Sequence, residues 1–303
     1  MVCLAGAMLC FGAVPVFLRH FITSLDMWCV NALRYSVGAL FWLPAVVILH
    51  RRTRRERQVE PGRNPWRDAL VPTSVNIVAQ VGFAATPYYV PAATMGVLLR
   101  VSFLSTILLG FLFIRDERRL AGSPAFLLGS ILSMGGVVFL FVEGALREGF
   151  ASWAGLSLAM SAAVGYSAYA VAVRRCMSGY PLRLSFGIIC IYTTGALIVL
   201  MLIFGDMSRF ETLDGRTWGM LILSGFLGVT VSHVMYHRGI HALGPVIANG
   251  MLLATPLITI LGAVVFLEES MTTLQIAGAV SVLGGGAFLF TAKSYGGGAT
   301  SAT

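Results

Sequence analysis

The chain has 303 residues, of which 57% are hydrophobic and only 11% charged, and its mean hydropathy is +0.84. A soluble domain carries about 25% charged residues, so too little polar surface remains here to coat a globule in water, and the class is integral membrane protein. The formal charge of +8 does not point to a nucleic-acid partner, because the basic residues cluster between apolar runs rather than over a solvated face.

A spanning helix needs about 20 mostly apolar residues. Ten such runs are predicted, at 2–18, 28–49, 69–90, 93–114, 124–143, 152–173, 184–205, 217–237, 245–267 and 272–292. The first, "MVCLAGAMLCFGAVPVFL", lacks the basic region and the small-residue cleavage site of a signal peptide. It reads as a span, and its shortness points to a start further upstream. The second carries Asn31, Arg34 and Tyr35 near its outer end, where snorkelling to the interface and contact with a substrate are equal alternatives. In the third, Thr73, Asn76, Gln80 and Phe83 fall at i, i+3, i+7 and i+10, one helical face.

The fourth run, "TMGVLLRVSFLSTILLGFLF", carries Arg100. At 1.5 Å per residue this arginine stands about 5 Å from its helix midpoint, and a central arginine costs at least ~2.5 kcal/mol on insertion scales. Contact with a substrate or gate would offset that cost; so would hydrogen bonds to carbonyls. The eighth run places Thr230, His233 and His237 on one stripe, with Ser232 and Tyr236 on the next. Asn249 and Pro256 are seven residues apart in the ninth. The end, "SYGGGATSAT", is Gly/Ser/Thr/Ala-rich and reads as a disordered tail over 293–303.

Orientation follows from the loops. With the N-terminus in the cytoplasm, the inside loops hold 15 Lys and Arg and the outside loops only Arg19, Arg147, Arg209 and Arg216. Both termini are therefore expected to be cytoplasmic, in a multi-pass protein of the cell membrane. The segment "HRRTRRERQVEPGRNPWR" accounts for much of the bias and reads as an anchor at anionic headgroups. The five cysteines show no C-x-x-C or Cys/His spacing and read as small apolar packers. No metal or cofactor is implied.

The two halves resemble each other. "FLFIRDERRLAGSPAFLLGSILSMGGVVFLF" (111–141) lies on "VVFLEESMTTLQIAGAVSVLGGGAFLF" (264–290), pairing Glu117 with Glu269, Gly129 with Gly278, and Gly135-Gly136 with Gly284-Gly285. Five spans per half is an odd number, so the second half, 146–292, should sit inverted relative to the first, 1–145. Inverted repeats are how many secondary transporters build two related states from one fold. The glycine ladders Gly129/Ser133/Gly136 and Gly278/Ser281/Gly285 read as close-packing surfaces.

These residues carry a resemblance to the drug/metabolite transporter superfamily, EamA type. "LCFGAVPVFLR" is similar to that family's opening helix and "NALRYSVGALF" to its Ala-x-x-Arg-Phe/Tyr stretch. "ANGMLLATPLITILGAVVFLEESMTTLQIAGAVSVLGGGAFLF" keeps the mid-helix Pro256, Glu269 and the glycine ladder. The first repeat departs from the pattern, with Leu104 opposite Pro256 and Arg100 opposite Leu252. The resemblance implies an all-α bundle of ten transmembrane helices, two inverted five-helix repeats around a central cavity, working by alternating access on a small metabolite.

Polar side chains deep in a membrane face the bundle interior or a watery path. The expected substrate-binding residues are Arg100, Asn76, Gln80, His233, Tyr236 and Asn249, with Pro256 as a gate or helix break. Asn76 and Gln80 could equally bond a neighbouring helix. His237 and Arg238, at the cytoplasmic edge, read as topological and Tyr88 and Tyr89 as an aromatic belt. No Asp or Glu lies mid-span, which speaks against a carboxylate proton relay and leaves His233 as the best-placed titrating group. A fixed positive charge without a negative one favours an anionic or amino-acid-like solute, moved in the exporting direction. The alternative is a flippase for a lipid-linked polar headgroup. An enzyme is not expected: there is no HExxH, no G-x-S-x-G and no paired carboxylates.

Overall fold

The computed structural model describes residues 2–55, 62–90, 92–148, 152–258 and 272–297. Within them the chain is helical: α1 (Val2–Phe21), α2 (Met27–Arg55), α3 (Pro65–Asp68), α4 (Leu70–Ala85), α5 (Ala92–Phe113), α6 (Pro124–Glu148), α7 (Trp153–Cys176), α8 (Leu182–Phe204), α9 (Gly215–Gly225), α10 (Ser232–Leu243), α11 (Pro245–Met251) and α12 (Thr273–Gly297). Helical segments stand at all ten predicted spans, the ninth only as far as residue 258. Six are long and apolar enough to cross a membrane, and a seventh if Leu98–Phe113 and the sharply bent Arg115–Gly122 count as one. The other apolar stretches, Cys3–Val14, Pro124–Leu140 and Pro245–Ile258, are shorter. Glu269 and the end of the ninth span lie outside the described residues.

Local chemistry sets the helix ends. Asp26 accepts from the N–H groups of Trp28 and Cys29 (2.8 and 3.0 Å) and so caps α2. Ser152 and Asp214 do the same for α7 and α9. Gly244, at φ +84°, makes the turn between α10 and α11 that a side chain would strain, and Pro245 starts α11. The eighth span is not uniform: α9 and α10 are joined by one π-helical turn, Phe226–Val231.

The main helix pairs bridge the two sequence repeats: α6 with α12, α4 with α7, α2 with α8, α5 with α7 and α1 with α10. The α6–α12 seam rests on the predicted ladders. A methyl on Gly136 would stand 2.7 Å from the Gly278 carbonyl, and one on Gly278 2.7 Å from the Gly136 carbonyl. Backbones approach this closely only where no Cβ intervenes. Neighbouring Gly135 and Gly284 face open space, so one of each glycine pair packs and the other does not.

Candidate functional site

Arg34 is the centre of a polar cluster. It lies in the second turn of α2, is only 3% exposed, and its Nε is fully enclosed with no acceptor. No hydrogen bond leaves its guanidinium among the described residues. Two glycines of the eighth span let it sit so deep. A Cβ on Gly225 would stand 2.7 Å from the Arg34 carbonyl oxygen, and one on Gly228, in the π turn, 2.8 Å from Arg34 Nη2. The groups that sense its charge are Tyr35, Tyr166 and His233; none is acidic.

Neutral polar groups surround it. Asn76 Nδ2 donates to Thr193 Oγ1 (3.1 Å) and, at 3.4 Å, to the Tyr35 hydroxyl, while Asn31 Nδ2 donates to the Gln80 backbone carbonyl (3.1 Å). Thr194 Oγ1 donates to the Tyr35 carbonyl (3.0 Å). Asn31 Oδ1, Asn76 Oδ1 and Thr230 Oγ1 are buried without a partner. An orphaned buried acceptor or donor costs roughly 1–3 kcal/mol, so these atoms mark where a ligand or water would be stabilised.

Aromatic rings form the walls. Phe186 stacks on His233 at 5.5 Å, and Phe11 meets His233 edge-on at 5.2 Å and Tyr236 at 6.1 Å. Tyr35 stands 6.4 Å from His233, and Phe83 packs on Tyr166 at 5.9 Å. His233 is oriented by its own π turn, with Nδ1 3.1 Å from the Gly228 carbonyl. His237, one helical turn further along α10, is fully buried and bonded through Nε2 to the Tyr169 hydroxyl.

A second polar group sits where α5 crosses α11. Asn249 Nδ2 donates to Thr106 Oγ1 (2.5 Å) and to the Ser102 carbonyl (3.2 Å), which also receives Ser167 Oγ (2.6 Å). Arg100, partly exposed, donates through Nη1 to the Leu252 carbonyl at 3.2 Å. That carbonyl's α-helical donor would be residue 256, a proline with no N–H. It receives instead the Thr255 N–H, in the tight turn Leu252–Ala254, together with the Arg100 guanidinium.

The expected residues thus fall into two places. Asn76, Gln80, His233 and Tyr236 gather around Arg34 and Tyr35; Arg100, Asn249 and Pro256 meet at the α5–α11 crossing. Tyr166 was not among the expected site residues, and for Asn31 and Arg34 the sequence left interface and substrate contact as equal alternatives. Arg34 lies eight residues into α2, shallow enough in sequence to reach an interface, and only the cover provided by Gly225 and Gly228 buries it. The glycine spacing in "SGFLG" was the available signal. Among the described residues no group of His, Cys, Asp and Glu could hold a metal ion.

Comparison with known proteins agrees with this architecture. An uncharacterized protein of Pseudomonas aeruginosa is 27% identical over 289 residues, covering 95% of this chain and 93% of its own. A crystal structure of another protein superposes with a TM-score of 0.76 over 97% of both chains at 18% identity, a likeness of fold alone. The model of the EamA-like transporter family matches twice, over residues 1–142 and 153–291. The chain is therefore a multi-pass, all-α membrane protein with two EamA-like repeats, and it belongs to the EamA-like transporter family.

Proposed function

We propose that the Arg34 cluster is the substrate site of a secondary transporter that exports a small anionic or amino-acid-like metabolite by alternating access. The supporting observation is the guanidinium itself, 3% exposed, with neither a carboxylate nor a hydrogen-bond acceptor among the described residues. An unpaired charge in a low-dielectric bundle is unfavourable, and a carboxylate or phosphate would offset it with charge-assisted, bidentate hydrogen bonds. The free acceptors Asn31 Oδ1 and Asn76 Oδ1 suit a substrate that also carries an ammonium or hydroxyl donor. Phe11, Phe186 and Tyr236 suit an apolar body. The bilayer is the solvent and both termini are cytoplasmic on the loop charges. Pro256 supplies the break at which the ninth span can bend between states.

The test is ligand-induced thermal stabilisation of the purified protein, wild type beside Arg34→Gln, against amino acids, organic acids, sugar phosphates and organic cations. A ligand at 100 times its Kd adds about 2.7 kcal/mol. Anionic or zwitterionic compounds should stabilise the wild type alone. Unliganded Arg34→Gln should melt no lower than wild type, because it removes an uncompensated charge. Stabilisation by cations, or equal responses of both proteins, would overturn the reading.

A further inference from the structure

We propose that α10 carries a proton along with the anion, through a relay of His233, His237 and His241 that joins the Arg34 cluster to the Arg174 end of the bundle. The inference rests on the Arg34 cluster being the anion site. The three histidines are four residues apart, which puts successive Cβ atoms about 5–6 Å apart on one helical face. Phe186 touches the first two, at 5.5 Å from His233 and 5.2 Å from His237. At the far end Arg174 Nη1 donates to the His241 carbonyl at 2.8 Å.

A purely packing role does not account for these side chains. His237 Nδ1 and His241 Nε2 are both enclosed without a hydrogen-bond partner, a cost that phenylalanine or leucine would avoid, and a buried polar atom left unsatisfied calls for an explanation. The titratable and charged groups beside the stripe are Arg34 and Tyr35 from α2 at His233, Tyr169 from α7 at His237 and Arg174 from α7 at His241, with Tyr166, Cys190 and Tyr236 standing around Tyr169. The carboxylate at the Arg174 end is Glu117, buried against Gly244 in the turn that follows α10, three residues beyond His241. Of these side-chain types only imidazole titrates near neutrality when unperturbed, at about 6.5, against about 8.5 for a thiol, 10 for tyrosine and above 12 for arginine.

The hydrogen bonds assign the nitrogens. In the tautomer whose Nε2–H donates to the Tyr169 hydroxyl, His237 takes the proton arriving from His241 at the unpartnered Nδ1 and gives up the one on Nε2 at the Tyr169 side. The Gly228 carbonyl holds His233 at Nδ1, leaving Nε2 to receive the proton at the cluster. Each imidazole gains one proton and gives one up, so every ring returns to neutral and one proton is carried in net. A proton on His233 raises the local charge beside Arg34 from +1 to +2, and a bound anion lowers it again. Each ligand therefore favours the other, reciprocally. A monoanion then moves as its neutral acid, driven by its own concentration gradient and indifferent to membrane potential.

The experiment uses the full chain in proteoliposomes with a trapped pH dye, under gradients of the monoanions glutamate, lactate or pyruvate. For whichever probe stabilises the purified wild type, lumenal pH should fall in step with anion entry and be unaffected by a potassium diffusion potential. His237→Phe keeps the ring against Phe186. It should lose about tenfold or more of the proton flux while thermal stabilisation by the same anion stays unchanged. His241→Gln, at the half-buried end, should do likewise and serves if His237→Phe does not fold. An unchanged ratio of protons to anions in the variants would overturn the relay and leave the anion site standing. Failure of every anion to stabilise the wild type would overturn the anion site, and this inference with it.

Discussion

Asp26 shows how much one side chain outside the spans can hold. Oδ1 caps α2, and Oδ2 accepts the Asp206 N–H at 2.9 Å, which ties the start of α2 to the end of α8. Partial burial pushes its pKa up, but the hydrogen bonds from Cys29, Asp206 and Trp28 outweigh it and hold the carboxyl below its ordinary value. A depressed pKa means stability that is present above the unfolded value of about 3.9 and is lost as pH falls through the folded one. Asp26→Asn keeps a capping oxygen but removes the charge, so it should lower stability by roughly 0.3–1 kcal/mol at pH 7, and the gap to wild type should close as the pH is lowered toward 3. Melting curves of both proteins over that range check it. A gap that does not change with pH would mean that charge on Asp26 is irrelevant.

At the scale of an element, the ninth span is shaped by Pro256. A mid-helix proline frees the carbonyl four residues earlier and crowds it, and here Leu252 turns tightly and takes Arg100 as a second donor. In the first repeat Leu104 stands opposite Pro256, and α5 runs unbroken from Ala92 to Phe113. The guanidinium that the fourth span carries thus serves the break in its counterpart. Arg100→Leu should cost about 1–2 kcal/mol with Pro256 present. The same change should cost markedly less in a Pro256→Leu background, where residue 256 can donate to Leu252 itself. Melting temperatures of the four proteins give the coupling, and strict additivity would show that Arg100 and Pro256 act independently.

For the whole molecule, the two repeats are laced together at both ends. Near Asp26 the tie is the Asp206 N–H, donated to Asp26 Oδ2 at 2.9 Å. At the opposite end Arg63 donates to the carbonyls of Ser178 and Cys176, both at 2.7 Å, and to Asp68 at 3.1 Å, with its guanidinium 4.6 Å over the Tyr180 ring. Tyr180 closes the knot by donating to Asp68 at 2.7 Å. Any rocking of one repeat against the other that opens this end must break those bonds. Arg63→Ala, in a background with Cys3 and Cys10 replaced by serine, should therefore speed maleimide labelling of Cys176. Unchanged labelling would reduce Arg63 to a local cap on α7.

Composition and periodicity alone established the membrane class, helical segments at the ten predicted runs (the ninth as far as residue 258), the internal repeat and the glycine seam of α6 and α12. Each depends on residues close in sequence or on a simple count of apolar length. Periodicity also grouped Thr73, Asn76 and Gln80 on one face, and all three are buried. What it could not decide was which helix covers which face. Arg34 and Arg100 looked alike as arginines in apolar runs, yet Gly225 and Gly228 bury the first and Pro256 engages the second. The π turn that orients His233, the orphaned nitrogens along α10 and the Arg63 knot likewise involve residues from several helices. Helical spacing determines what shares a stripe; only packing between helices determines what that stripe meets.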